Sequence, residues 1–285
     1  MQITRTMQMV STAKIRRALE RAQQAAPYKD AITQMLGAVG NAGGGDEPLL
    51  AEHEVTKRVL LIVIASDRGL AGGFNVNLQR AAEKQMKKLA ADGIQSELIT
   101  CGKKPTEYFR YRNIEPVMTF TGISTEPTMD QADRIATYAM DSYKGESIDR
   151  VVLYYSHAKN RMDEEMVTEQ LLPVSGEGFS MPTDPRHPEP LENVTHVENV
   201  FEFDPSATQV LGYLMPAYVR TVIYHALLDS AAAEHGARRR AMQSATDNAQ
   251  EVITTLSRTY NRVRQGSITT ELNEIIGGAS ALEEN

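Results

Sequence analysis

Residues 207–282 read ATQVLGYLMPAYVRTVIYHALLDSAAAEHGARRRAMQSATDNAQEVITTLSRTYNRVRQGSITTELNEIIGGASAL, and apolar positions recur through them at helical spacing. Ala245, Ala249, Val252, Leu256, Tyr260 and Val263 step by three or four, as do Ile268, Leu272, Ile275 and Ala279. That is the periodicity of an amphipathic helix. An average helix has about 11–12 residues. A continuous one here would be a rod on the order of 110 Å long at 1.5 Å per residue, roughly twice the width of a compact globule of 285 residues. Such a rod is expected to leave its own domain and meet a partner.

A second periodic stretch covers residues 2–39. Ile3, Met7, Val10, Ala13, Ile15 and Leu19 open its stripe, and Ile32, Met35, Leu36 and Val39 close it. Pro27 is expected to break or kink it. Its first half is basic: Arg5, Lys14, Arg16 and Arg17 precede the first acid, Glu20. A basic face is either solvated or meets an acidic or phosphate-bearing partner. The periodic pattern already includes Met1 and Gln2 with no capping residue before them, so the helix is expected to begin upstream, with Met1 an internal methionine.

Between the two helices the period changes. Residues 41–57 read as a Gly-rich linker. Arg58–Ala65 is a β-branched apolar run, the pattern of a buried parallel strand. Ser66–Gly73 reads as a loop, and 75–92 as a helix. Strands are expected at 96–101, at 114–120 and at 149–156, with helices over 104–112 and 130–143. A further strand at 166–174 is expected to pair as an antiparallel edge, and a last short one at 197–203 follows a loop over 176–195. The acids Asp163, Glu164 and Glu165 read as a solvated loop. Alternating strands and helices give an α/β sheet layered by helices. The fold class is therefore α/β, with a Rossmann-like domain (57–203) inserted between an N-terminal helix (1–41) and a long C-terminal helix (204–285). Since the chain leaves and returns, the two helices pair most economically as an antiparallel coiled coil. The first is about half the length of the second, which leaves part of the apolar stripe without an internal partner. Pro216 should bend the long helix or mark its effective start. Gly236 and Gly266 suggest either close packing or tolerated glycines.

Composition narrows the function. A net charge of −7 disfavours a generic nucleic-acid binder. A single cysteine, Cys101, excludes an internal disulfide framework and a cysteine-based zinc site. No run of about 18 apolar residues marks a membrane span, and no secretory leader pattern opens the sequence. The 66–73 loop follows a strand and precedes a helix, where α/β proteins hold ligands. Its glycines, however, fit neither dinucleotide nor Walker spacing. It reads as a tight turn tied down by Asp67 or Arg68. The histidines form no metal-binding pair, and no nucleophile elbow is present. Neither a catalytic residue nor a cofactor or metal ligand is assigned.

Three blocks carry a resemblance: Ile3–Val10; Ser66–Asn75; and Ala241–Ala249 together with Tyr260–Leu272. In this order, and with Leu214-Met215-Pro216 near the start of the long helix, they resemble the γ-subunit family of F-type ATP synthases. The resemblance implies a rotor shaft that couples proton flow through a membrane c-ring to ATP chemistry by rotation. Its two helices would form an antiparallel coiled coil inside the α3β3 ring, and its inserted domain would bind the ε subunit and sit on the c-ring. ATP chemistry would belong to the β subunit, with no small-molecule substrate for this chain. By matching motif, Arg264, Gln265 and Thr269 would engage a catch loop of the β subunit. Met7, Arg68 and Ala71 would face its acidic lever, Arg238 and Met242 would lie on a coupling segment, and Ile275, Ile276 and Leu282 would form a bearing. The expected location is peripheral, on the cytoplasmic face of a bacterial inner membrane. The family usually carries further residues before the Ile-Thr-Arg block and an alanine where Gly266 stands, and the chloroplast cysteine pair is missing here. The alternative is an α/β nucleotide-binding enzyme with a coiled-coil spacer, which requires a ligand at the 66–73 loop.

Overall fold

The computed structural model describes residues 2–41, 47–123, 125–160, 163–174 and 206–283. Helix α1 spans Gln2–Asn41 and runs through Pro27 without interruption. Helix α5, Ala207–Glu283, is one continuous element of 77 residues that runs through Pro216. Neither proline ends its helix, and Pro216 is not the start of α5. Between them lie β1 (Arg58–Ile64), α2 (Phe74–Ala91), β2 (Gln95–Cys101), α3 (Lys103–Arg110), β3 (Met118–Phe120), α4 (Met129–Lys144), β4 (Arg150–Ala158) and β5 (Glu164–Leu172).

The five strands form one sheet in the order β3-β2-β1-β4-β5. β1 lies at its centre, parallel to β2 and β4, and β5 pairs antiparallel with β4. The central strand shows why its sequence is apolar throughout. Leu60, Ile62 and Ile64 face one core together with Ile32 and Leu36 of α1, Ile135 and Ala139 of α4, and Val219 and Ile223 of α5. Val59, Leu61 and Val63 face the other core, with Leu78 of α2, Phe109 of α3 and Ala233 and Ala237 of α5. Both faces are covered, so alternation disappears. The terminal helices thus share the hydrophobic core of the sheet.

α1 lies along α5 in the opposite direction. Thr4 accepts from the hydroxyl of Thr246 at 2.7 Å, and Gln8 donates to Gln243. Residue numbers rise along one helix as they fall along the other. Beyond this contact α5 continues alone: every residue from Glu251 to Ile276 is exposed.

Several local expectations change. The strand placed at 114–120 shrinks to three residues. Glu164 and Glu165 belong to β5; Glu164 pairs with Arg240 of α5 and Glu165 with Lys159. Their acidity serves docking and cross-strand pairing, where a solvated loop was expected. Part of the 41–57 linker is core: Leu49 is fully buried and its carbonyl accepts from Val174 N at 3.1 Å. Gly236 would meet only ordinary contacts on gaining a Cβ, and Gly266 none at all, so packing requires neither. The loop and strand expected over 176–203 lie outside the described residues.

One glycine is required. Gly102 has φ 110°, and a Cβ there would stand 2.7 Å from the carbonyl oxygen of Ala65 and 2.8 Å from that of Ser66. Both contacts are with backbone, which cannot give way cheaply. Gly102→Ala is expected to destabilise the chain by about 2–4 kcal/mol through left-handed strain and overpacking. Gly69→Ala, with nothing within 4 Å of its Cβ, should change stability by no more than about 0.5 kcal/mol. Urea unfolding of both variants checks the pair, and equal stability would contradict the assignment.

Candidate functional site

Ligands of doubly wound sheets bind outside the carboxyl ends of the strands. Here α5 crosses those ends. Ser230 donates to the carbonyl of Ile64, the last residue of β1, at 3.3 Å. Asp229 accepts from Ala158 N at 3.0 Å and meets His157 Nδ1 at 2.5 Å, which closes the end of β4. The 66–73 loop is pinned from the other side. The backbone N–H groups of Lys103 and Gly122 both donate to Asp67 Oδ1, each at 3.0 Å. The side chain of Asn75 accepts from Ser66 N at 2.9 Å and donates to the carbonyl of Arg68. The loop is the tight turn its sequence suggested, with Asp67 as the tie. Of Arg68, it is the main-chain carbonyl that is held.

Arg238 completes the lock from α5. Its guanidinium donates to the carbonyl of Gly69 at 3.3 Å and of Arg68 at 3.5 Å, and it pairs with Glu234 one turn earlier at 2.5 Å. Three sequence-assigned residues, Met7, Arg68 and Arg238, line one cavity of about 300 Å³ between α1, α5 and the loop. Met242 is buried in the same stretch of α5. Ala71 differs from expectation: it is 2% exposed and packs with Ala233 and Ala237 in the core. The residue the loop presents outward is its neighbour Leu70, with φ 63° and 63% exposure. Sequence reasoning missed Leu70, although a leucine between two glycine-bearing turns is a signal of display. It also missed Glu234 and His235. The i,i+4 spacing of Glu234 and Arg238 was the available clue.

The distal residues are placed separately. Arg264, Gln265 and Thr269 lie on the lone part of α5, all exposed, with the Thr269 hydroxyl donating to the Gln265 carbonyl at 2.9 Å. Ile275 and Ile276 are exposed further along. Leu282 lies within the helix, and its side chain is outside the described residues.

Two other groups were candidates for chemistry. Cys101 is buried at the end of β2; burial above all, and then Asp67, push its thiol well up, so it is an inert core side chain. The cavity of about 690 Å³ lined by His53, Lys57, Arg58 and Asp149 lies at the opposite end of the sheet, where β1, β2 and β4 begin. Asp149 there accepts from Lys57 N and Arg58 N at 2.7 and 2.8 Å and meets His53 at 2.9 Å. It works as a clamp on the incoming chain.

His235 is the histidine with the altered titration beside the 66–73 loop. Burial, and after it the charges of Arg238, Lys14 and Arg68, push its pKa from 6.5 down to about 4. The folded ring is therefore neutral at pH values where the unfolded ring takes up a proton. The stability this supplies is present above pH 6.5 and is lost as pH falls toward about 4. The shift corresponds to at most about 3 kcal/mol. Between roughly pH 7 and 4.5, the unfolding free energy of His235→Gln is expected to fall less steeply than that of the parent chain, by about 2 kcal/mol. Urea titrations across that range check this, and parallel curves would refute it.

This geometry agrees with the comparisons. The family model described as ATP synthase matches residues 1–282. The ATP synthase gamma chain of Symbiobacterium thermophilum is 40% identical over 284 residues, covering 99% of this chain and 93% of that one. That of Pelotomaculum thermopropionicum is 41% identical over 283 residues, covering 99% and 94%. In fold, the chain resembles a chain from the central stalk and c-ring of the Tetrahymena thermophila mitochondrial ATP synthase, with TM-score 0.61 and 24% identity over 86% of this chain and 99% of that one. A helix that fills the usual ligand crevice, a sheet loop locked to it, and full-length identity near 40% lead to one conclusion: the chain belongs to the ATP synthase gamma-chain family.

Proposed function

We propose that this chain is the non-catalytic shaft of an F1Fo ATP synthase. It turns within the ring of three α and three β subunits and carries torque between that ring and the membrane c-ring. The observation that carries this reading is the lone half of α5. From Glu251 to Ile276 every residue is exposed, yet Val252, Leu256, Tyr260, Val263, Ile268, Leu272, Ile275 and Ile276 continue an apolar stripe there. Apolar surface of that extent on a single helix is stable only when another protein surrounds it.

The mechanism follows from asymmetry. The lone helix carries its apolar stripe and its arginines, Arg258, Arg262 and Arg264, at different positions around its circumference. Three identical catalytic sites around it would therefore meet three different surfaces at any moment. Each ligand-bound state of a site is favoured only by a differential contact, and rotation exchanges those contacts in turn. Arg264, Gln265 and Thr269 would grip the catch loop of the β subunit, Ile275, Ile276 and Leu282 would serve as bearing, and Met7, Arg68 and the 66–73 loop would meet its lever. Arg238 and Met242 would transmit movement between loop and shaft. The inserted domain, 57–203, would hold the ε subunit and rest on the c-ring, with 1–41 and 204–285 forming an antiparallel coiled coil. No described helix is long and apolar enough to cross a membrane, and the chain would attach from the cytoplasmic side of a bacterial inner membrane through the c-ring. A nucleotide-binding enzyme gains no support, because the crevice such an enzyme needs is filled by Asp229, Ser230 and Arg238.

Gln265→Ala with Thr269→Ala tests the grip. A neutral hydrogen bond contributes about 0.5–1.5 kcal/mol, so losing two should lower ATP-driven proton pumping by the reassembled complex roughly tenfold. Both positions are exposed, so the variant chain folds and assembles. Unchanged pumping and unchanged turnover would remove these residues from the coupling contact.

A further inference from the structure

Leu70 stands in the left-handed region, with φ 63°. A side chain with a Cβ is strained there, asparagine least. Asn113 and Glu146 also have positive φ, but each of them closes a helix. Ile114 N donates to the carbonyl of Phe109 at 3.0 Å, and Ser147 N to that of Ser142 at 3.0 Å, the long bonds that terminate α3 and α4. Leu70 terminates no helix, since α2 only begins at Phe74. The other left-handed position of its loop is filled by Gly72, with φ 58°. A glycine would occupy position 70 without strain as well, yet a leucine stands there.

The strain serves display. The carbonyls of Arg68 and Gly69 are held by Arg238 and Asn75, which fixes the chain just before Leu70. Its side chain stands 63% exposed, next to Met7 and Val10 of α1 at the mouth of the cavity. Ile3, Met7 and Val10 lie at i, i+4 and i+7 and so share one face of α1. Ile3 and Val10 are exposed. This apolar strip leads from Leu70 to the level of Thr246, the partner of Thr4, just short of the bare half of α5. Charge frames the tip. Glu234, the acid among the cavity's lining residues, is already paired with Arg238, so Lys14 and Arg68 leave the rim positive. An apolar tip in a cationic rim fits an apolar side chain set among carboxylates.

We propose that Leu70 is a positioning residue of the rotor, whose side chain docks against an apolar side chain in an acidic segment of the surrounding ring. This rests on the shaft reading and deepens it. Lys14 and Arg68 attract the segment, and Leu70 with Val10 gives the contact its grip. Because Arg238 ties the loop to α5, a push on Leu70 passes to the helix and is not absorbed by the loop. The left-handed backbone is the strain that a fold keeps where a side chain must be held outward.

The test reassembles the full chain with its ring and c-ring in vesicles and reads protons pumped per ATP hydrolysed. Leu70→Asn keeps the turn, since asparagine tolerates left-handed backbone, and removes the apolar tip. Its unfolding midpoint in urea is expected to equal or exceed that of the parent chain, while pumping per ATP falls about fivefold. Leu70→Met restores an apolar side chain and should return pumping to near the parent value. In the same assembly, a photoreactive benzophenone attached through Leu70→Cys should mark an acid-rich segment of a ring subunit; Cys101 is buried and does not compete for the label. A loss of pumping matched by a lower midpoint would assign Leu70 a structural role and overturn the proposal. So would a mark on a second copy of this chain or on a segment without carboxylates. If the parent chain does not pump, the shaft reading falls and this inference with it. If the parent pumps and Leu70→Asn pumps equally, this inference alone falls.

Discussion

The structure depends on α5 crossing the carboxyl ends of β1 and β4. Main-chain groups at strand ends must be satisfied, and here a helix from the far end of the sequence satisfies them. Ser230 takes the carbonyl of Ile64, and Asp229 takes the amide of Ala158. Two turns further on, Arg238 takes the carbonyls of the loop that leaves β1. These contacts span more than 160 residues of sequence for β1 and convert the usual ligand crevice into a joint. The sheet thereby holds the helix at a fixed position, and the helix holds the loop. Removing either side would leave buried charged or polar groups unpaired, which costs more than the bonds themselves contribute.

The joint also explains how charges are used here. Arg238, Arg239 and Arg240 are consecutive in the sequence, yet Arg238 is buried against the loop and Arg240 pairs with Glu164 of β5. Asp229, Glu234 and Arg238 are all less than 10% exposed on the same helix. Buried ion pairs are poor sources of net stability, but they specify position. A helix packed against a sheet only through Ala231, Ala232, Ala233 and Ala237 could slide by a turn at little cost. Charged and polar pairs at Asp229, Ser230, Glu234 and Arg238 forbid that slip.

Much of this was legible in the sequence, and the pattern of what was not is physical. Period and composition located both terminal helices, the buried parallel strand at 58–64, the α2 and α4 helices and the antiparallel edge strand, because each is encoded by its own residues. What was not legible was nonlocal. The sequence named Asp67 as a tie for its loop but not its partner, Gly122, 55 residues away. Leu49 leaves an apparent linker to enter the core, and Ala71 turns inward because alanines of α5 lie beneath it. Pro27 and Pro216 are absorbed because helices packed along much of their length recover elsewhere what a missing N–H loses. The site was legible in part. Met7, Arg68 and Arg238, assigned by motif, meet at one cavity, whereas His235 had no signature beyond its place in three dimensions.

The same reasoning separates the two halves of α5. Up to about Ala249, most of its apolar side chains are covered by α1 and the sheet, Tyr213 being an exception, and its position is specified by pairs that tolerate no slip. From Glu251 onward nothing in the chain covers it. An isolated helix gains little from propensity alone, so the lone half is the part whose order depends most on what surrounds it. A shaft benefits from this division. The held half fixes the axis with respect to the sheet, and the bare half leaves its whole circumference free to contact whatever surrounds it. Had the apolar stripe been buried along its full length, the helix would be better packed and would present nothing to grip.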